Sequence, residues 1–131
     1  LAVVSDPQLA QITLIRGSPP PERSAAGTVR ARSALTRYHL DLQHSADGQS
    51  RLAQRFTITI SPTQTENYQR AALRHELGHA LGIWGHSTVA SDALYASQVR
   101  EPPGISKRDI STLKRVYEQP TRLGWWVFVH E

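Results

Sequence analysis

The chain of 131 residues carries 15 basic and 11 acidic side chains, a formal net charge of +4, 39% hydrophobic residues, and neither cysteine nor methionine. That length holds one domain around one hydrophobic core, and no apolar run approaches the roughly 20 residues that a membrane helix needs. Without cysteine there is no disulfide framework, thiolate zinc knuckle or cysteine nucleophile. The basic residues are scattered rather than gathered in one run, which points to a solvated basic surface and away from nucleic-acid binding.

The chain opens on Leu1 rather than Met and is expected to be a processed or trimmed piece of a longer precursor. Leu1-Ala2-Val3-Val4 and Ile12-Thr13-Leu14-Ile15 read as strands on either side of a turn at Ser5-Asp6-Pro7. From Gly17 to Gly27 the stretch GSPPPERSAAG has three consecutive prolines, which predicts an exposed loop without regular structure. Thr28 to Ser33 is a weakly alternating candidate edge strand. Thr36 to Leu42 alternates polar and apolar residues, Ser45-Ala46-Asp47-Gly48 supplies turn chemistry, and Phe56 to Ile60 alternates again. That pattern predicts a hairpin, closed by Ser61-Pro62.

Glu66 to Leu81, ENYQRAALRHELGHAL, is rich in helix formers and sets Leu73, Leu77 and Leu81 on one face, with Gly82 placed to end the helix in a left-handed cap. A second helix is expected from about Ser106. Ser106 and Asp109 make a capping pattern, Ile105 and Ile110 occupy the positions of a hydrophobic staple, and Ile110, Leu113, Val116 and Tyr117 form the predicted buried stripe. The tail Trp125 to Val129 is apolar and suited to packing back onto the body or mediating a contact.

A metal site in this chain has to draw on His, Asp and Glu, and the histidines are His39, His44, His75, His79, His86 and His130. In His75-Glu76-Leu77-Gly78-His79 the two imidazoles, four apart on a helix, point to the same side and can reach one ion. Zinc suits such ligands, and a catalytic zinc takes three protein ligands. Glu76 projects beside the first ligand, where it can take a proton from water as a general base. The plain alternative is two surface histidines on a charged helix. Gly82 lets the chain leave the helix sharply, and His86 follows as the third candidate ligand, with Asp92 as the fallback.

The run HELGHALGIWGHS, residues 75 to 87, resembles the metzincin signature H-E-x-x-H-x-x-G-x-x-H, and Ser87 after the last histidine is similar to the matrixin family in particular. His86 comes four residues after Gly82, one more than the family spacing. The segment Ser91 to Tyr95 resembles the family's methionine turn with Leu94 in the methionine's place, and Ile105 to Ile110 resembles the start of its last helix. Tyr95 reads as a packing residue.

The resemblance runs from about Ile12 to Tyr117. It implies an α+β, metzincin-like zincin with a twisted mixed β-sheet, an active-site helix and a C-terminal helix, forming one catalytic domain over residues 1–131. The family's first strand and first helix are expected before Leu1. The implied activity is zinc-dependent endopeptidase action on extended polypeptides, with one Zn²⁺ on His75, His79 and His86, Glu76 as the base, and an exposed edge strand receiving the substrate. The loop from Tyr95 to Gly104 would line the pocket beyond the scissile bond, with Arg100 and Glu101 either biasing it or solvated. A monomer in a secreted or periplasmic setting is implied. The non-enzyme alternative is a zinc-stabilised protein-binding module without activity.

Overall fold

The computed structural model describes residues 1–128; Val129 and His130 lie outside the described residues. In chain order the elements are a 3-10 turn at Pro7–Leu9, β1 (Ile12–Arg16), β2 (Glu22–Arg23), β3 (Val29–Arg30), β4 (Ala34–His44), β5 (Gln49–Ile60), α1 (Glu66–Ala80), α2 (Lys107–Tyr117) and β6 (Val127–Phe128).

The frame is the β4–β5 hairpin, antiparallel along its length from Ala34 opposite Ile60 to His44 opposite Ser50. Its loop turns at Gly48, whose φ of +84° suits a residue without a Cβ, and Ser45 closes it by donating its N–H to the Gln49 carbonyl at 2.9 Å. Along the other side of β5, β1 pairs parallel with Phe56 to Ile60 and β6 pairs antiparallel with Gln49 and Ser50. The sheet is therefore mixed and the fold is α+β. Among the described residues β4 has no partner on its outer side.

Alternation puts Phe56, Ile58 and Ile60 on one face of β5. Helix α1 lays Leu73, Leu77 and Ala80 on that face, and Ile12 of β1 completes the core, with Ile58 fully buried. Burying an aliphatic side chain of that size contributes about 1.5–3 kcal/mol, so this small cluster is what fixes the helix on the sheet. The same face continues past α1 as Tyr38, Leu40, Leu42 and Leu52, each 42–62% exposed because the hairpin is longer than the helix covering it.

Several expectations need correction. Leu1 to Val4 form no strand and are exposed, since no element lies alongside to pair with them. The proline-rich stretch is not wholly irregular: past the prolines, β2 pairs with β3 in a short ribbon turned by Gly27 at φ +81°. Val29–Arg30 thus joins that ribbon rather than the main sheet. On α2 only Leu113 and Val116 of the predicted stripe are half-buried; Ile110 and Tyr117 are exposed, because the helix touches the body along a narrower line than a full apolar face. The tail does pack back in its described part: β6 joins the sheet, Gly124 donates its N–H to the Leu52 carbonyl, and the Arg51 guanidinium lies 4.5 Å above the Trp126 ring.

Candidate metal centre

The site starts from how α1 ends. Ile83 N–H donates to the Gly78 carbonyl at 3.0 Å and Gly82 N–H to the His79 carbonyl at 2.9 Å, the pair of bonds of a Schellman cap, with Gly82 at φ +105°. A Cβ on Gly82 would also come within 2.9 Å of Val116 on α2, so glycine is required there twice over. Gly85 has no positive φ and open space around it, so Gly82 alone makes the reversal. Ile83 is buried and anchors the returning chain. Trp84 stays 55% exposed, lying edge-on to Tyr38 at 5.1 Å rather than entering the core.

The reversal brings His86 to the two helix histidines. The ring centroids are 4.7 Å apart for His75 and His79, 5.1 Å for His75 and His86, and 5.0 Å for His79 and His86. One nitrogen from each ring lies within 4.8 Å of the other two. His75 Nδ1 donates to the Ala93 carbonyl at 3.0 Å and His79 Nδ1 to the Ile83 carbonyl at 2.6 Å. A carbonyl only accepts, so in the neutral rings the proton sits on Nδ1 and both Nε2 atoms present lone pairs, facing each other at 3.1 Å. Two lone pairs so opposed repel, and a cation relieves them. Nitrogens sharing one tetrahedral zinc stand about 3.3 Å apart, so the helix pair is already spaced for that ion, and exposed His86 has room to close the remainder. Burial, with His79 close by, holds the His75 imidazole below its ordinary pKa, which keeps it neutral and able to ligate. Three imidazoles are a donor set that fits zinc. His44 is elsewhere, hydrogen-bonded to Ser50 Oγ at 2.9 Å, and His39 is exposed on β4.

No family model, curated protein or solved structure matches the chain. The reading of the centre rests on its own geometry.

Beneath the helix, Leu94 is 5% exposed and packs directly under Gly78. Asp92 is not in the histidine cluster. It is 1% exposed, accepts from Arg108 Nε at 2.9 Å and Nη2 at 3.3 Å, and accepts from Ser87 Oγ at 2.6 Å. The Arg108 guanidinium, with Ser87 next, pulls its carboxyl down to about 2. Asp109 accepts from the amides of Ala93 at 2.9 Å, Leu94 at 3.4 Å and Ser106 at 2.7 Å; burial pushes its pKa up, but these amides win and hold it low. The start of α2 therefore clamps the turn whose Ala93 carbonyl orients His75. Sequence reasoning saw Asp109 only as a cap, and nothing in the local pattern marks Arg108 as the partner of Asp92.

Glu76 is 9% exposed and, with His75, borders a cavity of about 170 Å³ between α1 and the loop after the turn. Tyr68, Tyr95, Val99 and Pro103 line it, so Tyr95 faces the cavity rather than only packing. Arg100 and Glu101 are not on its lining. At the other wall are Ala34, the first residue of β4, and Ser33 just before it, and Thr36 Oγ1 donates to the Glu76 carbonyl at 3.0 Å, tying the edge strand to the helix at that residue.

Proposed function

We propose that the chain is a zinc-dependent endopeptidase of metzincin type, closest to the matrixins, acting on extended polypeptides. The observation that carries this reading is the three-imidazole cluster with its two opposed Nε2 lone pairs, set beside a carboxylate that borders a cavity. His75, His79 and His86 would hold the ion. Bound zinc supplies Lewis acidity toward the scissile carbonyl and toward a water molecule.

The rest of the chemistry belongs to the chain. Glu76 takes the proton of the attacking water on its carboxylate and passes it to the departing amine, so that the same group serves as base and then as acid. Its side chain accepts no hydrogen bond among the described residues, which leaves both oxygens for this exchange. The open edge of β4 offers backbone N–H and C=O groups to an extended peptide, which adds as a further strand and brings its carbonyl past Glu76. The cavity between Tyr68, Tyr95 and Val99 accepts a side chain of that peptide.

Glu76→Ala tests the assignment. Loss of a general base lowers turnover of an unstructured protein substrate by about 10²–10⁴-fold, while zinc content stays at one ion per chain, because the base is not a ligand. Retention of more than a few per cent of activity would remove Glu76 from the role. A zinc-loaded wild type that cleaves no polypeptide would favour a non-catalytic binding module.

A further inference from the structure

On α1, away from the histidines, Asn67, Arg70 and Arg74 are spaced three and four apart and stand in one row. At about 100° per residue the row is turned roughly a third of a revolution from His75. Arg100 meets it from the connecting loop, and these residues line, with Glu101 and Pro102, an open cleft of about 450 Å³. Three guanidinium groups share that cleft. Of these three arginines only Arg70 has an ionic partner among the described residues, an exposed pairing with Glu66 one turn back. Glu101 is exposed and lies in no ion pair with these arginines.

Arg74 carries the sharpest sign. Its Nη2 donates to the Pro103 carbonyl at 2.8 Å, but its Nε is buried and has no acceptor. Among the described residues it is the one buried side-chain nitrogen or oxygen left without a partner. A cationic N–H removed from water without an acceptor is unfavourable, so the Arg74 side chain, which lines the cleft, gains from any acceptor brought to it.

We infer that this cleft binds an oxyanion, a phosphate or a carboxylate group, through Arg74 and Arg100 with Arg70 beside them. The planar guanidinium fork matches both anions, which accept two parallel hydrogen bonds. Occupancy has a structural consequence. The loop is already tied to α1 by Tyr68 Oη donating to the Arg100 carbonyl at 2.9 Å and by Arg74 on Pro103. An anion bridging Arg100 to Arg74 adds an ionic tie, and Pro102 lines both the cleft and the cavity beside Glu76. The anion would thus stiffen the wall of the substrate cavity. That consequence rests on the peptidase reading; the anion site does not.

The test is a titration of the full chain, followed by the arginine Nε–H resonances, with sodium phosphate, sodium acetate and sodium chloride at matched ionic strength. The expected result is a saturating shift of the Arg74 resonance, weakened at least about tenfold in Arg100→Gln, as loss of a charge-assisted bond implies, and tightened in Glu101→Gln. Saturation by phosphate alone assigns a free phosphate, by acetate alone a polypeptide carboxylate, and by both a general oxyanion site; each supports the inference. Shifts in both arms that only follow chloride, or an unchanged midpoint in Arg100→Gln, would overturn it. The measurement needs neither zinc nor hydrolysis. Glu76→Ala should give the same curve, so failure of the peptidase reading leaves this result standing.

Discussion

Replacing Gly78 by alanine puts a methyl group between the helix that carries His75 and His79 and the turn beneath it. The new Cβ would lie 2.6 Å from Leu94 Cδ2, 3.1 Å from Cδ1 and 3.3 Å from Cγ. Rotating the isobutyl group only exchanges one methyl for the other and leaves Cγ close, so Leu94 has to move as a whole. At 5% exposure it has little space to do so. Overpacking of this kind costs about 1–3 kcal/mol, and the better helix propensity of alanine offsets about 1 kcal/mol of it. The expected net loss is about 1 kcal/mol, roughly 3–6 °C in melting temperature for a domain of this size.

Leu94→Ala alone leaves a cavity and should cost about 2–5 kcal/mol. In that background the methyl of Gly78→Ala enters the emptied space, and the substitution should change sign and stabilise by about 1 kcal/mol. Denaturant midpoints for the wild type, both single variants and the double variant, all in chelator so that metal does not contribute, complete the cycle. Leu94→Met, which conserves volume, serves as a control and should stay within about 1.5 kcal/mol of wild type. A Gly78→Ala effect of the same sign in both backgrounds would refute the contact as the cause.

The third ligand is tested by metal analysis: His86→Ala should weaken zinc binding by more than about 100-fold, whereas Asp92→Ala should keep one zinc per chain, and the reverse pattern would exchange their roles. Asp92 also sets an acid limit. Its folded-state pKa of about 2 lies below the ordinary 3.8, so its ion pair with Arg108 stabilises fully above about pH 4 and is lost as the pH falls toward 2. The denaturation midpoint of the wild type should therefore drop more steeply across that window than that of Asp92→Asn; parallel curves would show the pair contributes nothing. Thr36→Val removes the hydroxyl that donates to the Glu76 carbonyl while keeping the side chain's shape, and should cost about 0.5–1.5 kcal/mol in chemical denaturation. No measurable change would mean the strand and helix are held together by packing alone.

Local rules reached furthest where the determining contacts are close in sequence. The helix ending at Gly82, the capping box at Ser106 and Asp109, and the hairpin across Ser45 to Gly48 are each set by residues within a few positions of one another, and each forms as expected. The histidine cluster belongs with them, since only three residues separate Gly82 from His86. What escaped depends on distant partners. Leu1 to Val4 have strand composition but no neighbour, and Ile110 and Tyr117 have the spacing of a buried stripe but nothing deep enough to bury them. The clamp of Arg108 and Asp109 on the turn spans 15 to 16 residues and leaves no periodic trace in the sequence. The unpartnered Arg74 Nε is equally silent, because an arginine facing an empty cleft and one facing solvent have the same spacing on a helix.

The acceptors that fix the two helix imidazoles are main-chain carbonyls, those of Ala93 and Ile83. Every residue type carries a carbonyl, so no point substitution at positions 83 or 93 deletes either acceptor. Orientation of the two rings is therefore insulated from drift in side-chain identity and exposed instead to changes in chain length. One residue added or removed between His79 and Ile83, or between His86 and Ala93, would carry a carbonyl out of reach and release a ring to rotate. In a lineage of such chains, the segments around the histidine cluster should hold their lengths more strictly than their composition, with Gly82 the exception.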